Sequence, residues 1–211
     1  MTSHLEKLKK LRSWDEFRTR GSQAMAAYGE KIGFTGRVPT DEEFVSLIVD
    51  SKLKTTAITP ENLRESFQDN ADLHFFSVFR EPAKSALFFN SSFAGAAKGV
   101  FNSAERLIAG RIELLGHNDI LIGPDVDWHL EPISQIRSPL KHWKEFDDLD
   151  VSESGDKKVI WELNRHQHFF TLGAAFFLTG DERFSDLFVR HVESWMDQNP
   201  PGTGVNWSSS L

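Results

Sequence analysis

The chain has 211 residues, 39% hydrophobic and 26% charged, the balance of a chain that can bury a sizeable core and not of a disordered one. A net charge of −7 supplies no basic excess for a phosphate backbone, so no nucleic-acid partner is expected, while a local cationic cleft for an acidic polysaccharide remains compatible with it. The absence of Cys excludes disulfides, thiolate metal sites and Cys nucleophiles, and eighteen Phe and six Trp against the single Tyr28 make large apolar rings abundant and phenols scarce.

The start, "MTSHLEKLKKLRSWDEF", carries basic residues but no continuous apolar core of a signal peptide. No stretch approaches the ~20 apolar residues that span a bilayer, so no membrane span is expected and a cytoplasmic location is predicted for the sequence as written. Residues 3–31 read as one amphipathic helix, with Leu5, Leu8, Leu11, Phe17, Met25 and Tyr28 on a helical repeat and Gly33 and Gly36 ending it. Thr40 precedes Glu43 by three residues in the manner of a capping box and opens a second helix whose core face is Phe44, Leu47 and Ile48. Residues 51–71 predict a loop with a short helix after Pro60. Residues 73–110 carry the clusters "FFSVF" and "FF" and predict a helix over 92–109, stopped by Gly110.

Residues 110–150 differ in kind. Short Ile and Leu runs bounded by Gly116, Gly123 and Pro124 predict extended pieces, and Pro132 and Pro139 exclude a long helix between them, leaving an irregular loop region rich in Trp and His. Trp128, His129, His142 and Trp143 in this region either stack on a sugar ring or plug the core, and the plug is the commoner use of a loop Trp. From Lys158, the steps Val159, Ile160, Leu163, Gln167, Phe170, Ala174 and Phe177 predict a continuous helix. "TGDE" at 179–182 then supplies a glycine stop and an Asp181 cap, and Phe184, Leu187, Phe188, Val192 and Trp195 form the stripe of a second helix ended by Pro200 and Pro201. So short a turn makes the two helices an antiparallel hairpin.

The stretch "WELNRHQHFF" at 161–170 combines hydrogen-bonding groups with large apolar rings. On a continuous helix, Asn164 with His168, Glu162 with His166, and Trp161 with Arg165 would form neighbouring stripes. One reading has Asn164, Arg165 and Gln167 meet a sugar's hydroxyls and carboxylate, the guanidinium fork matching the carboxylate. The other has Arg165 pair with Glu162 or Asp181 and the imidazoles bond backbone carbonyls. A metal held by Glu162, His166 and His168 would need distortion, because His-x-His on a helix splays its rings, so no metal or other cofactor is expected. Ser208–Ser210 lack the strand-turn-helix setting of a hydrolase nucleophile and read as the cap of a helix that does not follow.

"DWHLEP", "SPLKHW", "GDKKVIWELNRHQHFFTLGAAFFLTGDERFSDLFV" and "ESWMDQNPPGTGVNW" together resemble the N-terminal helical domain of the heparinase II/III-like polysaccharide lyases, densely over residues 110–211. The resemblance implies an all-α fold, an incomplete (α/α) toroid of antiparallel helical hairpins in a single helical domain over 1–211, without the family's β-sandwich. It also implies β-elimination on uronic-acid polysaccharide, heparan-type or alginate-like, and extends the compartments to the periplasm. Asn206 takes the catalytic role of carboxylate donor in that resemblance, with Asn164 as rival, and Asn164, Arg165, His166, Gln167 and Trp207 line the substrate cleft. Since the family's catalytic Tyr and further His lie beyond this chain, truncation and loss of turnover are expected, the alternative being a non-catalytic carbohydrate-binding or envelope-polysaccharide assembly module. An open arc of hairpins would expose Phe184, Leu187 and Val192, and self-association through them is expected.

Overall fold

Thr40 and Glu43 close on each other: the Thr40 amide donates to Glu43 Oε2 at 2.9 Å and the Glu43 amide donates to Thr40 Oγ1 at 3.3 Å, the reciprocal capping box expected from the sequence. The computed structural model describes residues 14–34, 37–46, 59–69, 81–147 and 150–209. Within these run helices α1 (Trp14–Lys31), α2 (Asp41–Ser46), α3 (Pro60–Asp69), α4 (Pro82–Ser92) and α5 (Ala94–Ile108). Strands β1 (Arg111–Leu114), β2 (His117–Leu121), β3 (Leu130–Glu131) and β4 (Ile136–Arg137) follow, then helices α6 (Lys157–Leu163), α7 (His168–Thr179) and α8 (Glu182–Gln198). Two 3-10 turns, Trp143–Glu145 and Val205–Ser208, complete the elements. The architecture is mainly helical, with two separate two-stranded antiparallel hairpins, β1–β2 and β3–β4, inside the loop region where extended pieces are expected.

The expected helix after Pro60 is α3, with Thr59 and Asn62 exchanging the same kind of cap. Leu5, Leu8, Leu11, Leu47, Ile48 and the "FFSVF" cluster lie outside the described residues. Two expected apolar faces are corrected. In α1, Phe17, Met25 and Tyr28 are exposed and Ala27 is the buried residue, the helix being tied instead through Glu30, which accepts from Trp143 Nε1, and through a Lys31–Glu145 ion pair. In α2, Val45 is buried and Phe44 exposed. The helix expected over 92–109 is α5, and a helix not expected from the sequence, α4, precedes it; Phe93, at φ −131° and ψ 43°, ends α4 and starts α5.

One contiguous core lies between α5, the β1–β2 hairpin, α6, α7 and α8. It is built from Ala104, Leu107, Ile112, Ile120, Val126, Trp128, Leu163, Leu172, Phe184 and Leu187 among others. Phe184 and Leu187 are therefore buried within this chain, each worth roughly 1.5–3 kcal/mol, and are not the exposed stripe expected of an open arc; Val192 is half-buried. The turn between α7 and α8 matches its sequence signal: Gly180 is left-handed at φ +70°, and Asp181 accepts from the Arg183 amide at 3.0 Å. No described helix is long and apolar enough to cross a membrane.

Gly110, the residue after the α5 cap, has φ +70°, and a Cβ there would lie 2.6 Å from the Gly123 carbonyl carbon. Its carbonyl accepts from the Ile122 amide at 2.8 Å, which docks the end of β2 onto the helix terminus. Gly110→Ala is expected to cost about 2–3 kcal/mol, from left-handed strain together with the backbone clash. The check is a urea midpoint lowered at unchanged slope.

Candidate functional site

The helix expected to run unbroken from Lys158 stops at Leu163 and restarts at His168. Asn164 is the reason on the N-terminal side. Its Nδ2 donates to the carbonyls of Ile160 at 2.8 Å and Trp128 at 3.0 Å, so the side chain competes for the helix's own acceptor and ties the break to the irregular region 36 residues earlier. His166 then takes a left-handed backbone, φ 56°, a conformation costing about 1–2 kcal/mol outside glycine. The imidazole, stacked on Phe169 at 4.7 Å and edge-on to Trp128 at 5.2 Å and Trp195 at 5.4 Å, offsets that cost. The expected side-by-side stripes of Asn164 with His168 and Glu162 with His166 are thus corrected: the turn sends these side chains in different directions.

A groove of about 260 Å³ opens on one side of this turn, lined by Trp161, Asn164, Arg165, Trp195, Asn206, Trp207 and Ser209. Four of the sequence-derived candidates, Asn164, Arg165, Asn206 and Trp207, meet there from α6, the turn after it and the C-terminal 3-10 turn. Gln167 does not: it lines a separate cavity of about 290 Å³ with Ser103, Arg106, Glu162, His168 and Thr171 on the other side of the turn. His166 lines neither and packs against Trp128, Phe169 and Trp195. Trp161, Trp195 and Asn199 were missed as site residues. Trp195 reads as a member of the apolar stripe of its helix and Trp161 as the neighbour of Arg165 on a helical stripe, and no spacing signal marks Asn199.

The polar groups of the groove form a connected set. Asn164 Oδ1 accepts from Trp195 Nε1 at 2.8 Å and from Asn206 Nδ2 at 2.9 Å. Asn206 Nδ2 also donates to Asn199 Oδ1 at 2.6 Å, and Asn199, buried, donates from its own Nδ2 to the Trp195 carbonyl at 2.9 Å. Asn206 Oδ1 is buried with no partner. Trp161 Nε1 donates to the Val205 carbonyl at 3.0 Å, which fastens the 3-10 turn carrying Asn206 and Trp207 to α6. Arg165 donates to Glu162 at 2.8 Å, while Asp181 pairs with Arg183. Glu162 also accepts from Gln167 Nε2 at 2.7 Å, so one carboxylate sits behind both candidates.

Beneath the groove, Trp128 is fully buried, and three imidazoles surround it: His166, His168 stacked at 6.2 Å and His191 edge-on at 5.6 Å. His168 Nε2 lies 3.1 Å from His191 Nδ1. Burial first, then the neighbouring His191 and His166, lowers the His168 pKa to about 3. Burial, with Arg190 and His166, lowers that of His191 to about 4, and burial lowers that of His166. Both members of the buried pair are therefore neutral, one donating to the other, at any pH near 7. Trp128 and His129 serve as the plug and not as exposed stacking faces. His129 is likewise fully buried, within hydrogen-bonding distance of the Gln198 carbonyl.

A sequence model of the family described as Heparinase II/III N-terminus matches residues 51–210. A heparin-sulfate lyase of Bacteroides stercoris is 24% identical over 78 residues, a match that takes in 37% of this chain and 9% of that protein. No solved structure matches the chain.

Proposed function

We propose that this chain, which belongs to the Heparinase II/III N-terminus family, holds acidic sugar for a polysaccharide lyase that cleaves uronic-acid-containing chains by β-elimination. The groove of Arg165, Asn206 and the indoles is where that sugar sits. The observation that carries this reading is the convergence of a guanidinium, two amides and three indoles on one groove from distant parts of the sequence. Its helical hairpins are read as part of an (α/α) toroid, in one helical domain.

The chemistry explains the residue types. In β-elimination a base removes the proton next to the carboxylate, the electron pair forms the C=C bond, and the glycosidic C–O bond breaks with its oxygen taking a proton. Removing that proton builds a second negative charge beside the carboxylate, so the group must be held by donors or cations fixed in advance. The Arg165 fork is suited to it, and Trp161, Trp195 and Trp207 offer flat apolar faces to sugar C–H groups. Asn206 is assigned to the reacting uronate and Asn164, Arg165 and Trp207 to binding. Gln167 and His166 act from behind, Gln167 by holding Glu162 and His166 by packing under Trp195. Among the described residues no Tyr or His lines this groove, and the groups that do are suited to binding. The same observation favours a second reading, a non-catalytic carbohydrate-binding module.

Arg165→Ala is expected to weaken binding of heparan-type or alginate-type oligosaccharide about tenfold or more by calorimetry, the loss of a charged hydrogen-bonding group. Unchanged affinity overturns the site. Formation of unsaturated uronate by the protein that carries this chain separates the lyase from the binding module.

A further inference from the structure

Arg165 and Gln167 lie two residues apart, and on an unbroken helix their side chains would point to different faces. The left-handed backbone of His166 between them, φ 56°, brings both to the carboxylate of Glu162. Arg165 Nη1 donates to Glu162 Oε2 at 2.8 Å, and Gln167 Nε2 donates to Glu162 Oε1 at 2.7 Å. A carboxylate only accepts, so the end of the Gln167 amide that meets it is nitrogen.

An arginine and a carboxylate that meet freely pair fork to fork, two parallel N–H groups on two oxygens. Here the pair is limited to one bond, because Gln167 holds the second oxygen. The Nε and Nη2 hydrogens of Arg165, one whole edge of the guanidinium, have no partner among the described residues. A ligand can reach that edge. The Arg165 side chain is 45% exposed and borders the groove, whereas the Glu162 side chain is 15% exposed and lines the cavity across the turn. Two N–H groups side by side match two oxygens of one acid group.

We infer that Gln167 reserves one edge of Arg165 for the ligand: by holding Glu162 Oε1 it keeps the Glu162–Arg165 pair to a single bond, and the open Nε–Nη2 edge takes an acid group of the sugar. Glu162 and Gln167 are positioning residues, since neither lines the groove. Glu162 anchors the guanidinium, and Gln167 stops that anchor from closing over the edge the ligand uses. The inference rests on the reading of the groove as the sugar site, and it names the two residues outside the groove that set its preference for acidic over neutral sugar.

The test is a double-mutant cycle on the 211-residue chain, read by calorimetry with an unsulfated glucuronate–glucosamine tetrasaccharide and by NMR without ligand. Gln167→Ala frees Glu162 Oε1 to close on the open edge. Affinity then falls roughly three- to fivefold, the factor that a partly exposed ion pair imposes on a ligand that must break it. The amide of Glu162→Gln has one acceptor oxygen and cannot pair fork to fork, so adding Gln167→Ala to that variant leaves its affinity unchanged. An equal loss in both backgrounds marks a merely structural effect and overturns the inference, as does no loss in the parent background. The tetrasaccharide reduced at its carboxyl groups loses nothing with Gln167→Ala, and an equal loss there overturns the acid assignment. In the free chain the Arg165 Nε proton exchanges rapidly with water, and in Gln167→Ala it slows. A proton already slow in the parent, or no slower in the variant, overturns the open edge. If the parent does not bind the acidic tetrasaccharide, the proposed function fails and the ligand assigned to the edge fails with it, while the exchange rates still decide the pairing.

Discussion

Trp128→Ala is expected to cost roughly 3–5 kcal/mol, the range for removing a large buried ring. That is enough to leave a domain of ordinary stability largely unfolded at moderate temperature. The ring is fully buried and lies within 6.2 Å, centroid to centroid, of three imidazoles, and its N–H donates to Ser194 Oγ at 3.2 Å. Its loss leaves a cavity under the left-handed turn at His166 and removes one of the two donors to Ser194 Oγ, the other being Gln198 Nε2 at 3.0 Å. The backbone carbonyl of residue 128 accepts from Asn164 and Asn206, so collapse into the cavity moves the groove as well. Trp128→Phe keeps most of the packing and should recover more than half of the loss. Denaturant unfolding followed by near-ultraviolet circular dichroism measures both. An alanine variant within 1 kcal/mol of the parent, on the order of a surface substitution, would show that the ring does not organise this region.

The second large effect is acid sensitivity. His168 and His191 have folded-state pKa values of about 3 and about 4, below the ordinary histidine value near 6.5. Above pH ~6.5 both folded and unfolded chains hold these rings neutral, and the pair adds no pH dependence. As pH falls through 6.5 the unfolded chain takes up protons that the folded chain refuses, so stability is lost steadily until the folded rings protonate near pH 4 and 3. Each such proton withdraws about 1.4 kcal/mol per pH unit, so the two rings together withdraw several kcal/mol. Among the described residues the rings packed on the pair are Trp128, Phe169 and His166, with Arg190 nearby; the carboxylates that share a cavity with His168, Glu113 and Glu162, are held by Arg106 and by Arg165 with Gln167. The thermal midpoint should fall between pH 6.5 and 4.5, a window above most carboxylate titration. The double substitution His168→Gln with His191→Gln should flatten that dependence. A parent midpoint constant across the window would refute the neutral buried pair.

Local signals were legible wherever a residue's partner lies within a few positions. The Thr40–Glu43 capping box, the Pro60 helix, Gly180 with Asp181, and the Phe184–Leu187 stripe of α8 all follow from spacing, because helix caps and helical periodicity involve neighbours three or four residues apart. Asn164, Arg165, Asn206 and Trp207 were placed at the site by motif resemblance. Asn164 and His168 share no helical stripe, because the helix stops at Leu163 and restarts at His168. Arg165 has the pairing with Glu162 that the plainer reading gave it, and it still borders the groove.

The amino-acid sequence by itself therefore determined the mainly helical class, the α7–α8 hairpin, the irregular region between Gly110 and Asp150, and the exclusion of thiol chemistry. Only the tertiary structure decided where the helix after Lys157 breaks, which side of that break each candidate faces, and which atom of Asn206 is left unpaired. The reason is physical: these outcomes are set by hydrogen bonds and ring contacts to Trp128, Trp195 and Asn199, residues that lie far along the chain or outside any helical repeat with their partners. Such long-range pairings leave no mark on local spacing.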